Sequence, residues 1–262
     1  MTPKLACQEL DQEGRERLSD ALGETPETAI SVHVLQRGLA RAWVAGDVAC
    51  PAGAIVQPEA LPGEPMGFGE DVRVLWGLLQ QVSGWFCVDV SPSVAAPLGE
   101  LIQAERGGRV RYYGDVYHVL SPLVRQPVQA CPHPSVRLLT LEDIALLEAA
   151  PDELRGAGFG STRALLAEGV VACAVSGGQV VTIAHTSAIS ARYADIGVCT
   201  APEWRGRGLA TAAARLVAER VQARSLTPVW SAGEDNWASL RVAQKVGFTE
   251  VSRRTYVILE QA

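Results

Sequence analysis

The sequence predicts an α/β (α+β) protein built as two successive domains. Three observations carry that expectation. The chain has 262 residues, more than one typical small domain needs and enough for two cores. Pro122, Pro127, Pro132 and Pro134 lie within residues 121–135, and such a cluster denies continuation to helix and ladder alike. Beyond it, apolar residues alternate between strand and helix spacing in the order β-α-α-β-β-β-α-β-α-β.

Each element of that second half has a local reason. Residues 136–139 read as a strand, and Thr140-Leu141-Glu142-Asp143 resembles an N-cap box opening a helix through Leu146 and Leu147. A second helix is expected over 161–168. Residues 170–175 and 179–185 form a hairpin across Gly177-Gly178, a pair suited to positive φ. Residues 195–200 make the next strand. Leu209, Ala213, Leu216, Val217 and Val221 then recur at helical spacing, in a helix expected to begin at Arg207. Val229-Trp230 is a short strand, Asn236 caps a helix that Gly247 ends, and residues 248–259 return as one bent or two short strands.

The first half repeats this order in blurred form. Residues 42–48 and 54–57 suggest a hairpin, 72–82 a helix, 85–90 a strand, 94–105 a helix and 109–119 strands, as a divergent internal repeat would.

Composition narrows the function classes. Hydrophobic residues make up 48% and charged residues 20%, an ordinary globular balance. No run reaches the 18 or so apolar residues of a membrane helix, and residues 1–16 lack the apolar core of a signal peptide, so the cytoplasm is expected and no membrane partner. The net charge of −6 falls on residues 1–135, which hold 10 Lys/Arg against 16 Asp/Glu, while residues 136–262 hold 13 of each. No basic domain exists to neutralise a nucleic-acid backbone. The six cysteines include no CxxC pair, and Cys131-Pro132-His133 is the only Cys/His neighbourhood, so no metal site is expected.

The most telling segment is Arg205-Gly206-Arg207-Gly208-Leu209-Ala210. Two glycines let successive backbone N–H groups turn around an anion, the following helix adds its positive dipole end, and two arginines add full charges. A P-loop would need a different spacing and a lysine. A dinucleotide fingerprint would need Gly or Ala where Thr211 stands. In the first half the corresponding loop, Met66-Gly67-Phe68-Gly69-Glu70-Asp71, keeps glycines but carries two carboxylates, which would repel a phosphate.

The segment is similar to the acyl-CoA loop of the GNAT superfamily of N-acyltransferases, Arg/Gln-x-x-Gly-x-Gly/Ala. Pro202-Glu203-Trp204 before it resembles the family's Pro-Glu-Tyr lead-in, and Asn236, Ser239 and Lys245-Val246-Gly247-Phe248 after it resemble Asn-x-x-Ser followed by Lys-x-Gly-Phe. The resemblance is strongest over residues 192–258.

It implies a GNAT fold, a mixed central sheet flanked by helices, preceded by a second GNAT-like domain. The boundaries expected are 1–124 for a degenerate N-terminal domain, 125–135 for the Pro-rich linker and 136–262 for the catalytic domain. It implies acetyl-CoA as cosubstrate: Arg205, Gly206, Arg207, Gly208, Leu209 and Ala210 around the pyrophosphate, with Thr211 one hydroxyl further on. Val198, Cys199 and Thr200 would pair a strand edge with the pantetheine amides, and Asn236 and Ser239 would contact the pantetheine arm or a phosphate.

Asp195 is the first candidate for the base that deprotonates an amine, with His185 a lesser one. A tyrosine usual for the family is replaced by Ala243, so the acid that protonates the thiolate is not identified: water, Ser239 or the helix N-terminus helps the thiolate leave, or Tyr193 reaches in, or catalysis is slow. The activity implied is acetyl transfer to the primary amine of a small-molecule or peptide acceptor by direct attack. A non-catalytic CoA sensor or scaffold is the rival. The first half is expected to shape the acceptor's surroundings, and a homodimer is left open.

Overall fold

A computed structural model describes residues 7–121 and 136–260. The Pro-rich linker, the Cys131/His133 pair and residues 1–6 and 261–262 lie outside the described residues. In chain order the elements are β1 (Cys7–Glu9), α1 (Gln12–Leu22), α2 (Ala29–Gln36), β2 (Ala40–Asp47), β3 (Cys50–Pro58), β4 (Met66–Phe68), α3 (Val72–Leu79), β5 (Cys87–Val90), α4 (Pro92–Arg106) and β6 (Arg109–Val119). They continue as β7 (Val136–Leu138), α5 (Ile144–Glu148), α6 (Thr162–Glu168), β8 (Val171–Ser176), β9 (Gln179–Ile189), β10 (Tyr193–Thr200), α7 (Leu209–Ala223), β11 (Thr227–Gly233), α8 (Trp237–Val246) and β12 (Thr249–Glu260). From β7 onward this is the order expected from the sequence, with short 3₁₀ turns added before α5, α6 and α7.

The chain divides into two compact units. One holds residues 1–116 together with 252–262, and the other holds 117–251. In the second unit β7, β8, β9 and β10 pair antiparallel in sequence, and β11 joins β10 in parallel. The sheet is therefore mixed, because the α7 crossover returns the chain in the same direction. In the first unit β1, β2, β3 and β4 pair antiparallel, and β5 joins β4 in parallel. The internal repeat is thus visible in the ladder pattern. The last strand beside β5 is not the next in sequence: residues 255–258 of β12 pair antiparallel with it.

Each sheet buries apolar residues on both faces. In the second unit Ala213, Ala214, Val217, Ala218 and Val221 of α7 pack with Ala194, Ile196 and Trp230, while Leu147, Leu154, Leu165 and Leu166 cover Cys173 and Ile183 on the other face. Ala213, Ala214 and Ala218 are fully buried. They bring the helix close to the sheet, and an added side chain there would overpack the seam by about 1–3 kcal/mol.

Three local readings need correction. The helix after the glycine loop begins at Leu209, not Arg207, because Gly208 has φ 80° and ends the loop in a left-handed turn. The glycine-bearing segment of the first half is a strand, β4, whose Met66–Phe68 pairs with β3. The final return is a single twelve-residue strand. Helices α1 and α2 had no counterpart in the sequence reading.

Candidate acyl-CoA site

The site forms where β10 and β11 part. Their parallel pairing covers Tyr193↔Thr227, Ala194↔Pro228 and Asp195↔Val229 and then stops. A register irregularity in β10 falls at Asp195/Ile196, and a bulge of this kind bends a strand and increases its twist. Residues 196–200 stay paired with β9 on one side, and on the β11 side no strand partner faces them among the described residues. A peptide-like chain could add to that edge.

A cavity of about 540 Å³ opens at this divergence. All twelve residues expected to hold acetyl-CoA line it, from Val198, Cys199 and Thr200 through the 205–211 loop to Asn236 and Ser239. Gly206 and Gly208 have φ of 77° and 80°, and a Cβ on either would meet nothing within 4 Å. Glycine is needed there for the backbone turn, not for room in the protein itself.

No side chain caps α7. Ala212 N–H is the first to find a helical acceptor, Gly208 O at 3.0 Å, so the amides of Leu209, Ala210 and Thr211 sit uncapped in the cavity wall. Uncapped amides and the positive helix end together favour an anion.

The arginines of the loop are held in place. Arg205 Nε donates to Thr200 O at 3.1 Å. Arg207 Nη2 donates to Glu203 O at 3.1 Å, and its guanidinium lies 4.4 Å from the Trp204 ring centroid. Across the cavity Asn236 Oδ1 caps α8 by accepting from Ser239 N–H at 3.2 Å, and Trp230 Nε1 donates to Ser239 Oγ at 3.0 Å. Ser239 keeps its own O–H to donate. Cys199 is half-buried, and burial is the chief reason its thiol is raised above the usual range.

The first unit closes the corresponding position by other means. Asp71 caps α3 with its carboxylate, which accepts from Arg73 N–H at 2.8 Å and Val74 N–H at 3.2 Å. Those amides are satisfied by the chain itself.

Asp195 is not in the cavity wall. It lies beside the divergence, 5% exposed, accepting hydrogen bonds from Ser187 Oγ on β9 and from Ser231 Oγ on β11. Burial pushes its carboxyl up to about 6, against the lowering effect of the two hydroxyls. His185 is buried, with Nε2 accepting from Ala157 N–H at 3.2 Å, and burial lowers its pKa to about 4. The ring lies against Gly197, where an added Cβ would come within 2.8 Å of Cε1. Burial thus disfavours the charged imidazole. Ala243 is fully buried against the α7 core, so no hydroxyl stands there.

Sequence reasoning passed over Arg241 and Lys245, which line the same cavity from α8. Their four-residue spacing on a helix already placed by its cap was the available signal. It also passed over Ser187 and Ser231, which pairing register alone brings to Asp195. Among the described residues no group of three or more His, Cys, Asp or Glu gathers as a metal site, and no helix is long and apolar enough to cross a membrane.

A mixed sheet whose parallel pair splays beside a glycine loop and an uncapped helix is the arrangement of the GNAT fold. Residues 143–258 match the family model described as GNAT acetyltransferase. No curated protein matches the chain.

Solved structures share the fold over nearly the full length. A GCN5-related N-acetyltransferase-like protein from Streptococcus suis is 22% identical with a TM-score of 0.69, covering 95% of this chain and 99% of that one. A GCN5-related N-acetyltransferase from Sphaerobacter thermophilus is 14% identical with a TM-score of 0.60, covering 100% and 98%. A tandem GNAT protein from the clavulanic acid biosynthesis pathway is 16% identical with a TM-score of 0.56, covering 97% and 98%.

Proposed function

We propose that the C-terminal half, residues 136–262, transfers an acetyl group from acetyl-CoA to a primary amine by direct attack in a ternary complex. The observation that carries this reading is one cavity that joins an uncapped helix N-terminus and four cations, Arg205, Arg207, Arg241 and Lys245, to the open edge of β10. Among the described residues no carboxylate lines it. A diphosphate fits the helix end, and pantetheine amides fit the strand edge.

In the reaction the acceptor amine gives a proton to Asp195, directly or through water, and its nitrogen attacks the thioester carbonyl carbon. The tetrahedral adduct then collapses, the C–S bond breaks, and the CoA thiolate leaves and takes up a proton from water. A carboxylate with a pKa near 6 is largely ionised at neutral pH and still basic enough to accept that proton. Asp195 itself is buried, and low exposure strengthens its electrostatic interactions.

In this reading the N-terminal domain carries no second acyl-CoA site, since Asp71 already occupies the amides at the start of α3. The buried methyl of Ala243 favours one rival, a CoA-binding sensor without turnover.

Calorimetry with CoA and acetyl-CoA, followed by thiol release with a panel of primary amines, separates the two. One CoA per chain with acceptor-dependent thiol release supports the transferase. Tight CoA binding with no release from any amine favours the sensor, and no CoA binding removes both.

A further inference from the structure

Both carboxylate oxygens of Asp195 already accept a serine hydroxyl, and the residue is only 5% exposed while Ser187 and Ser231 are half-buried. An incoming amine therefore meets a serine before it meets the carboxylate. The two serines are not equivalent. Ser187 stands on β9, with β10 between it and the gap that opens past Val229. Ser231 stands on β11, the strand that borders the gap, two residues beyond the last paired position. Its neighbours Trp230 and Ala232 are buried in the core shared with α7, and Trp230 lines the acyl-CoA cavity. Alternation along the strand turns Ser231 to the opposite face, where its hydroxyl reaches Asp195 Oδ1 at 3.4 Å. Ser231 thus connects the gap to the buried carboxylate.

We infer that Ser231 is a catalytic residue of the proposed acetyl transfer, relaying a proton from the acceptor nitrogen to Asp195, while Ser187 is a positioning residue that orients the carboxylate. The inference rests on the transferase reading and puts a named hydroxyl in place of direct or water-borne transfer to Asp195. A serine hydroxyl has one hydrogen to donate and lone pairs with which to accept. As the amine nitrogen bonds to the thioester carbon it becomes cationic, and its N–H proton passes to Ser231 Oγ while the serine's own proton passes to Asp195 Oδ1. The nitrogen ends neutral, the hydroxyl is regenerated, and the carboxyl later gives its proton to water.

The test is steady-state thiol release from acetyl-CoA with an alkylamine, an arylalkylamine, a polyamine and a dipeptide, from pH 5 to 9, for the full-length wild type, Ser231→Ala, Ser231→Thr and Ser187→Ala. Calorimetry with CoA and a thermal midpoint accompany each protein. Ser231→Ala should lose at least about tenfold in kcat on the high-pH plateau, with CoA affinity within twofold of the wild type. Ser231→Thr restores the hydroxyl and should regain most of that loss. Ser187→Ala removes a donor that favours the ionised carboxylate, so its rising limb should move to higher pH and its deficit should shrink as pH rises. A Ser231→Ala protein that keeps the wild-type plateau and only shifts the limb overturns the relay and leaves the transferase reading intact. So does a deficit in Ser231→Thr as large as in Ser231→Ala at the wild-type thermal midpoint. Absence of thiol release by the wild type with all four amines overturns the transferase reading, and the relay with it.

Discussion

Ser231 Oγ donates to Asp195 Oδ1 at 3.4 Å, two residues beyond Val229, where β11 last pairs with β10. Ser187 donates to the other carboxylate oxygen from β9. Both serines are half-buried while Asp195 is buried, so the carboxylate is satisfied by two hydroxyls that lie nearer to solvent. A candidate base held this way keeps a defined orientation at the mouth of the strand divergence.

That arrangement sets the pH profile. As a base, Asp195 must be ionised, so turnover should rise with pH through about 6, its raised value. Asp195→Asn keeps the shape, its amide oxygen accepting from one serine hydroxyl while its NH2 donates to the other. It should lower kcat by about 10²-fold or more and leave the CoA dissociation constant within twofold. Steady-state rates from pH 5 to 9 decide this, and an unchanged profile in the variant would remove Asp195 from the mechanism.

Gly208→Val should weaken CoA binding by at least tenfold. Valine is β-branched and Gly208 sits at φ 80°, where such a residue costs about 1–3 kcal/mol of strain. Because a Cβ there meets no protein atom, the fold should persist with a lowered thermal midpoint. Calorimetry with CoA reads the first effect and thermal denaturation the second.

Two buried groups tilt stability in opposite directions. His185, lowered to about 4, favours the folded state fully above its ordinary value near 6.5, and that contribution is lost as pH falls towards 4. Asp195, raised to about 6, does the reverse: its proton is held more tightly in the fold, so stability falls as pH rises from about 4 to 6. Each swing is on the order of 3 kcal/mol. In an Asp195→Asn background the midpoint should therefore drop steeply on acidification from pH 6.5 to 4. Adding His185→Gln, whose amide oxygen can accept from Ala157, should flatten the drop; a slope that persists would assign it to other groups.

Asp71→Ala should destabilise the first unit by about 1 kcal/mol through loss of the α3 cap. It should not create a second CoA site, since the loop there has no arginine. Titration should give one CoA per chain in both proteins, and a stoichiometry of two in the wild type would overturn the assignment of the site to the C-terminal half alone.

The glycine loop and α8 were legible because their signals are local. Gly206, Gly208 and Gly247 all adopt positive φ, and Asn236 caps its own helix through Ser239 N–H. Helix α1 was missed because it is strongly polar, with only Leu18 and Ser19 buried. Helix α2 was missed because it is buried almost all round, which erases helical periodicity. Strand β4 has three residues, too few to show alternation. Its loop was read as a counterpart of the anion loop, when Asp71 instead serves as a cap.

By itself the sequence determined the element order of the second half, the conformations that only glycine allows, and the twelve residues that gather in one cavity. These follow from contacts within a few residues, which spacing and residue type encode. The tertiary structure alone decided which strand completes which sheet, as when residues 255–258 pair with β5. It alone placed Ser187 and Ser231 on Asp195, Ala157 on His185, and Arg241 and Lys245 across from the glycine loop. Those relationships depend on strand register and on packing between segments tens of residues apart, and burial, which sets the charges of Asp195 and His185, exists only once the chain has closed.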